Sequence, residues 1–194
     1  MTAVGLPGLA ALATGYFAWL VALVFARRRR DRAGEANARG SRRSMLGIAL
    51  QSAGFLAVGL GPVRVALDPL GARALAEALS IAAAMAAAVM LFVTATRAMG
   101  RNWSLVARTR DDHSLVTAGP FAYVRHPIYV AMALTLPALA IALGHAAGLL
   151  IGIFPFALGT WLRVDEEERL LRAAFGSAYD AYARRVKRFV PGLV

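Results

Sequence analysis

Long apolar runs alternate with short polar stretches along the 194-residue chain. A helix that crosses the hydrocarbon core of a bilayer needs about 20 mostly apolar residues. Runs of this kind predict five membrane spans, over residues 5–26, 45–63, 74–98, 127–143 and 146–162. The last two runs are short and closely joined, which predicts a helical hairpin over 127–162. Because no alternating strand pattern occurs, the sequence predicts an all-α, polytopic membrane helix bundle.

The composition also indicates a membrane protein, since 59% of the residues are hydrophobic and the mean hydropathy is +0.58. The net charge of +11 comes from arginines in the polar stretches between the apolar runs. Such residues concentrate in cytoplasmic loops. We therefore expect residues 27–44, 99–126 and 163–194 to lie in the cytoplasm and Met1 to lie outside. The membrane is expected to be the inner or plasma membrane of the cell. The sequence predicts no soluble module with a basic face, so nucleic-acid binding is not predicted.

The polar stretch after residue 98 divides the chain into two predicted units. Residues 1–98 form a three-span bundle, and residues 99–194 comprise a cytoplasmic loop, the hairpin and cytoplasmic C-terminal helices. The third span contains "SIAAAMAAAVM", and small side chains let membrane helices approach closely, so we expect this span at the centre of the bundle. The absence of cysteine excludes disulfides, thiolate metal sites and a cysteine nucleophile.

Arg125, His126 and Pro127 stand at the start of the fourth apolar run. One interpretation is structural, because proline suits the first turn of a helix and Arg125 could reach lipid headgroups. The other is functional: His126 and nearby backbone amides hold a polar ligand at the helix N-terminus. These three residues alone leave both interpretations open.

The stretch "RVDEEERLL", residues 163–171, follows the fifth apolar run directly. It fits a solvated helix start, with the carboxylates of Asp165 to Glu168 at the positive end of the helix dipole. It also fits a binding site, because Arg163 and Glu167 are four residues apart and share one helix face. A cation would then bind near Glu167 and an anion near Arg163.

Two further patterns do not predict a ligand site. Asp111, Asp112 and His113 are polar neighbours, but the chain has three histidines and none pairs at metal-ligand spacing, so no metal site is predicted. The glycines of "VGLGPV", residues 58–63, lie in an apolar span without the preceding strand of a dinucleotide-binding motif. They indicate close helix packing instead.

Taken together, the motifs resemble the isoprenylcysteine carboxyl methyltransferase family, one of the membrane methyltransferases, which also include the phospholipid methyltransferases. The resemblance rests on four stretches in a fixed order: "GRNWS" at 100–104, "HSLVTAGPFAYVRHPIY" at 113–129, "RVDEEERLL" at 163–171 and "FGSAYDAY" at 175–182. It covers about the last hundred residues. The number of predicted spans is similar to that of the small prokaryotic members.

The resemblance implies S-adenosylmethionine as methyl donor, bound in a cytoplasm-facing pocket formed by the C-terminal half. It also implies a lipophilic or prenylated acceptor that enters from the bilayer lipids, with Arg163 as the catalytic residue on the acceptor side. The implied cofactor-binding residues are His113, Ser114, Leu115, Val116, Phe121, His126, Pro127, Ile128, Tyr129 and Glu167. The chain departs from the family pattern at Phe121, commonly tyrosine, and at Val106, where relatives can offer a polar contact.

The leading prediction is carboxyl O-methylation of an isoprenylcysteine-like substrate, which is the family's activity. A carboxylate acceptor is already ionised and needs no general base, in agreement with motifs that contain no obvious nucleophile or triad. Three alternatives stay open at this point. They are a phospholipid amine or thiol methyltransferase, an NADPH-dependent membrane reductase, and a non-enzymatic membrane scaffold.

Overall fold

The computed structural model describes residues 3–31, 41–100 and 114–193, and the regular secondary structure of this part of the chain is helical, without a β-sheet. Its helices are α1 Leu6–Asp31, α2 Arg42–Gly59, α3 Ala72–Met99, α4 Pro127–Leu143, α5 Ala146–Phe175 and α6 Ser177–Arg185. A short 3-10 helix, Gly119–Ala122, precedes α4. The sequence prediction of an all-α bundle is confirmed.

Three of the described helices are long and apolar enough to cross a membrane, namely Leu6–Arg29, Ala72–Met99 and Ala146–Phe175, and α4 is a shorter apolar helix. Their outer faces carry large exposed apolar side chains, among them Phe17, Leu20, Phe25, Leu79, Met90, Leu150 and Phe154. Such a surface is unfavourable in water but matches the hydrocarbon core of a bilayer. The structure is therefore that of a membrane helix bundle, whereas the count of five spans stays a prediction.

The central helix of the bundle is α4, which contacts α1, α2, α3 and α5. The prediction that the alanine-rich third span is central is wrong, because among the described helices α3 packs mainly against α1, α4 and the short 3-10 helix. Small residues explain the arrangement in both helices. Ala131, Ala138 and Ala140 of α4 are buried, as are Ala88 and Ala95 of α3, so the backbones approach closely.

Glycines line the interface between α2 and α5. A Cβ atom added to Gly54 would lie 2.7 Å from the carbonyl oxygen of Gly152, and one added to Gly152 would lie 2.5 Å from that of Gly54. One added to Gly148 would meet the Ala57 carbonyl oxygen at 2.6 Å. The two backbones touch directly, which any larger side chain would prevent. The packing interpretation given to the glycines of "VGLGPV" is wrong for Gly59, where an added Cβ atom would meet only Leu139 Cδ2, at 4.0 Å, and Gly61 lies after the end of α2 with a φ of +146°.

Gly54→Ala is expected to destabilise the protein by about 1–3 kcal/mol, because its methyl group would force α2 away from the α5 backbone. Gly59→Ala on the same helix is the matched control, since an added Cβ there meets only Leu139 Cδ2, at 4.0 Å. The free energy of unfolding in mixed micelles compares the two variants. Equal stabilities would show that the helices are not held at backbone contact.

The fifth apolar run and the polar stretch after it form one continuous helix, α5, up to Phe175. Asp165 to Glu168 therefore lie in a helix interior, and the interpretation of this stretch as a solvated helix start is wrong. The helix continues because glutamate, arginine and leucine favour helix as strongly as the apolar residues before them. Gly176 ends it with a φ of +48°, a conformation that favours glycine, and α6 follows at once.

Loop contacts define one end of the bundle. Val4 pairs with Val65 in an isolated β-bridge, which ties the residue before α1 to the loop after α2. His145, in the joint between α4 and α5, has its Nδ1 atom 2.8 Å from the carbonyl oxygen of Val58. Residues 3–5, the loop over 60–71 and the α4–α5 joint therefore lie together.

The opposite end gathers the arginine-rich segments that the structure describes. Arg43 at the start of α2 forms an ion pair of 3.1 Å with Asp165 in the polar part of α5. The backbone N–H of Arg125 donates to the carbonyl oxygen of Lys187 at 2.8 Å. The described residues with candidate chemistry lie at this end. They are in the part of α5 beyond residue 162, in the loop before α4 and in the segment after α6.

Candidate active site at the arginine-rich end

Glu168 of α5 is a buried carboxylate surrounded by cations, and its side chain has an exposed fraction of 0%. Arg125 Nη2 lies 2.9 Å from Oε1, and Arg188 Nη2 lies 2.8 Å from Oε2. His126 Nε2 lies 3.2 Å from Oε1, and Arg172 Nη2 lies 3.4 Å from Oε2. These five side chains are called the Glu168 cluster below. The Glu168 cluster connects three parts of the chain, namely the loop before α4, helix α5 and the segment after α6.

The charges of the Glu168 cluster support one another. Burial opposes ionisation of Glu168, but hydrogen bonds from His126, Arg188 and Arg125 outweigh it and hold the pKa of this carboxyl well below its usual range. Burial lowers the pKa of His126, but hydrogen bonds and the negative charges of Glu167 and Glu168 more than offset this effect and raise the pKa above its ordinary value. Both effects favour an ion-paired, fixed imidazole.

Arg125 does not extend to the lipid headgroups, so the structural interpretation given to it from sequence is wrong. Only 9% of its side chain is exposed. Its Nη1 atom donates to the carbonyl oxygens of Ala183, at 2.9 Å, and Val186. The guanidinium turns inward because a buried carboxylate and unpaired carbonyls at the end of α6 offer it stronger hydrogen bonds than a headgroup would.

Residues 186–189, the C-terminal segment, pack back on the loop before α4. The backbone N–H of His126 donates to the carbonyl oxygen of Arg188 at 3.0 Å, and Val124 pairs with Lys187 in an isolated β-bridge. The Phe189 ring lies 6.0 Å from the His126 ring between centroids. His126 is thus held by its backbone, its ring face and its ring nitrogen at once.

Arg163, Tyr129 and Glu167 form a second group beside His126. The Tyr129 hydroxyl donates to Glu167 Oε1, and Arg163 Nη2 lies 4.0 Å from the same oxygen. The guanidinium carbon of Arg163 lies over the Tyr129 ring, 5.3 Å from its centroid. His126 Nδ1 lies 3.7 Å from Glu167 Oε2. The helical spacing that put Arg163 and Glu167 on one face thus brings their charges together, next to two predicted cofactor-binding residues.

Glu167 and Glu168 differ in exposure although they are neighbours in sequence. The Glu167 side chain is 27% exposed, against 0% for Glu168, so Glu167 is the carboxylate that a ligand can reach. Arg163 is 12% exposed and lies where the apolar part of α5 ends. A guanidinium in such a position can hold a carboxylate by two parallel hydrogen bonds, and Glu167 can hold a cation. The pair suits two oppositely charged ligand groups.

The remaining predicted site residues occupy other positions. Pro127 is fully buried at the first position of α4, and Ile128 packs against the apolar core formed by Ala26, Phe92 and Ala131. Phe121 is buried on the short 3-10 helix, where its carbonyl oxygen accepts a 2.7 Å hydrogen bond from Tyr182. The preceding segment, without regular secondary structure, contains Ser114, Leu115 and Val116. His113 and Val106 lie outside the described residues.

Four residues of this region were not predicted from sequence. Glu168, Arg172 and Arg188 lie in charged stretches that are typical of solvated segments, and no local pattern distinguishes them. Gln51 of α2 has its Oε1 atom 3.2 Å from Arg163 Nη1 and lies in the bundle interior. Gln51 could have been identified from the sequence, because a polar side chain inside an apolar span is energetically costly and indicates a specific partner.

Comparison with known proteins agrees with the motif resemblance. Residues 79–173 match the model of the isoprenylcysteine carboxyl methyltransferase family. Protein-S-isoprenylcysteine O-methyltransferase of Schizosaccharomyces pombe is 36% identical over 47% of this chain and 40% of its own length. The enzyme of the same name from Dictyostelium discoideum is 33% identical over 43% and 35%. The cobalt-zinc-cadmium resistance protein CzcN of Cupriavidus metallidurans is 34% identical over 49% and 44%. The matches span less than half the length of these relatives.

Proposed function

Because residues 79–173 belong to the isoprenylcysteine carboxyl methyltransferase family, we propose that this protein is an integral membrane methyltransferase that uses S-adenosylmethionine. The methyl acceptor is a carboxylate on a lipophilic molecule, of which a prenylated cysteine is the chemical type. The two relatives named as isoprenylcysteine methyltransferases support the reaction class. The observation that carries the acceptor class is the position of the Arg163 guanidinium, which is 12% exposed beside Glu167 at the end of the apolar part of α5.

The charges of the site fit the proposed cofactor. S-adenosylmethionine carries an ammonium, a carboxylate and a cationic sulfur, and it supplies an activated methyl group. Glu167 is partly exposed and negative, so it would hold the cationic side of the cofactor, whereas His126 and the residues of the preceding segment would contact its remaining polar groups. Tyr129 donates to Glu167 and thereby limits the directions in which this carboxylate can turn.

The protein's own residues then have few tasks, all of positioning. Arg163 binds the acceptor carboxylate and aims one of its oxygens, which already carries the negative charge that the reaction consumes. No proton has to be removed, so no general base is required. The apolar helices around this end exclude water, which strengthens the ionic contacts and prevents hydrolysis. Holding both reactants in line accounts for most of the rate in such a reaction.

The membrane supplies the route for the acceptor. A prenyl chain dissolved in the bilayer would place its carboxylate near the depth at which the apolar part of α5 ends, where the partly exposed Arg163 lies. The cofactor would enter from the side that carries the arginines. Because positive charge is in excess at this end of the bundle, we propose that this end faces the cytoplasm and that the N-terminus of the protein lies outside.

Titration calorimetry of the detergent-solubilised protein separates the candidate functions. S-adenosylhomocysteine should bind, whereas a membrane reductase would bind a nicotinamide nucleotide and a scaffold neither. Glu167→Gln is expected to weaken S-adenosylhomocysteine binding about 10- to 100-fold, because a charge-assisted hydrogen bond contributes about 1.5–3 kcal/mol.

Asp165→Asn is the matched control for this variant. It makes the same chemical change on the same helix, but Asp165 is 39% exposed and pairs only with the surface residue Arg43 among the contacts described for it. The affinity of the Asp165→Asn variant for S-adenosylhomocysteine should stay within about threefold of wild type. Equal losses in the two variants would mean that Glu167 does not contact the cofactor, and binding of a nicotinamide nucleotide alone would refute the methyltransferase proposal.

A further inference from the structure

Gln51 is a polar side chain in the interior of the bundle, with an exposed fraction of 3%. Its amide has one hydrogen bond on each side. Gln51 Nε2 donates to Thr160 Oγ1 of α5 at 2.9 Å, and Gln51 Oε1 accepts from Arg163 Nη1 at 3.2 Å. The two bonds fix the orientation of the amide, because only its oxygen can accept from a guanidinium. Gln51 lies before the residues that match the family.

Glycines on both helices make room for this contact. A Cβ atom added to Gly159 would lie 3.0 Å from Gln51 Cγ and 2.8 Å from its backbone nitrogen. One added to Gly47 would overlap the Cγ atom of Arg163. The side chains of Gln51 and Arg163 therefore pass each other in space that two missing side chains leave. This local packing leaves the guanidinium little freedom to move away from α2.

Two further contacts of the Arg163 guanidinium come from α4 and α5. The ring of Tyr129 lies beneath the guanidinium, and the nearest oxygen of Glu167 is 4.0 Å away. Gln51 differs from these in providing an uncharged hydrogen-bond acceptor from another helix, α2. An uncharged acceptor has a chemical consequence: it orients the guanidinium without neutralising it, whereas a carboxylate at the same position would compete with an anionic ligand.

We propose that Gln51 is a positioning residue, which holds the Arg163 guanidinium in the orientation that grips the acceptor carboxylate. This proposal rests on the proposed function, because it assigns Arg163 to the acceptor. It extends the site beyond the matched residues into α2. It also makes the α2–α5 interface part of the catalytic geometry rather than a packing surface alone.

Gln51→Met tests the proposal, because methionine has a similar length and shape but cannot accept from Arg163. We expect kcat for an N-acylated farnesylcysteine to fall about 10- to 100-fold, as for loss of a hydrogen bond to a charged group. S-adenosylhomocysteine affinity should stay within about threefold, since the cofactor residues are unchanged. Ser52→Ala, the next residue on α2 and exposed, should leave both quantities unchanged. An unchanged kcat in folded Gln51→Met would overturn the proposal.

Gln51→Glu gives an opposite test of the same idea. The new carboxylate would still accept from Arg163, so the orientation is kept, but it would neutralise the guanidinium and repel the acceptor. We expect the KM for the carboxylate acceptor to rise by about tenfold or more while S-adenosylhomocysteine affinity is retained. A purely structural role of Gln51 predicts instead that the KM is unchanged.

Where Gln51→Met does not fold, Thr160→Val decides the proposal: it removes the partner that fixes the amide, so kcat should fall several-fold, and an unchanged kcat would overturn the proposal. Where the wild type proves inactive on carboxylates, the thermal midpoints of Gln51→Met, Arg163→Met and the double variant decide it. They should be non-additive, because the residues share a contact. Additive midpoints would overturn the Gln51–Arg163 link, whereas an inactive wild type with non-additive midpoints would refute only the proposed function.

Discussion

Glu168→Gln is expected to lower the free energy of unfolding by about 3–5 kcal/mol, because it removes one partner of a buried ionic network. The carboxylate is fully buried and lies within 3.2 Å of Arg125, Arg188 and His126. Glutamine can accept through one atom only, and its NH2 group would face the N–H donors of an arginine. Arg125 would then remain buried without a counter-ion. Unfolding in mixed micelles, followed by tryptophan fluorescence, measures the loss.

Asp165→Asn provides the comparison for this prediction too, since its exposed ion pair with Arg43 should contribute no more than about 1 kcal/mol. The pKa of His126 offers a second measurement. With the Glu168 charge gone, this pKa should fall, so the imidazolium would be lost at a lower pH than in the wild type. If the free energy of unfolding of Glu168→Gln equalled that of Asp165→Asn, the Glu168 cluster would not stabilise the fold.

Arg163→Ala is expected to reduce methylation of a carboxylate acceptor by about 2–5 kcal/mol, or ~30- to several thousand-fold in kcat/KM. The change removes the cation that would bind the acceptor oxygens and leaves the other side chains of the site in place. S-adenosylhomocysteine should still bind within about threefold, because the Arg163–Glu167 distance of 4.0 Å indicates a weak direct link. Transfer of a radiolabelled methyl group to an N-acylated farnesylcysteine measures the activity.

Arg163→Lys and Arg169→Ala sharpen this experiment. Lysine keeps the charge but loses the planar fork, so turnover should fall more than cofactor affinity does. Arg169 is 65% exposed and pairs with Glu166, so its removal should have little effect. Full activity of Arg163→Ala on the carboxylate acceptor would show that Arg163 has only an anchoring role. Retained activity on an amine acceptor alone would point to a phospholipid amine methyltransferase.

Helix boundaries were predictable where the sequence contains a chemical start or stop signal. The fourth run was predicted over 127–143, and α4 spans Pro127–Leu143. Proline suits its first position, and Gly144 ends it in the left-handed conformation with a φ of 72°. The end of α5 was not visible in the same way. Its apolar run stops at residue 162, but the charged residues that follow are good helix formers, so the helix continues to Phe175.

The site was predictable to the extent that its contacts are local. Arg163 and Glu167 were placed together because they are four residues apart, and the structure gives 4.0 Å between them. Glu168 could not be distinguished from Glu167 by type or position. Its burial depends on Arg125, 43 residues earlier, and on Arg188, 20 residues later. Such distant contacts depend on the packing of whole helices, which a hydrophobic pattern alone does not determine.

The return of the C-terminal segment onto the loop before α4 has a consequence for the order of assembly. A chain is synthesised from its N-terminus, and earlier parts begin to fold while later ones are still being made. Arg125 and Glu168 therefore leave the ribosome before Arg188, which completes their pairing. A nascent chain that ends before residue 186 contains helices α1 to α5 but has an incomplete set of counter-charges around Glu168. Closure of this end of the bundle therefore has to wait until residues 186–189 have been synthesised.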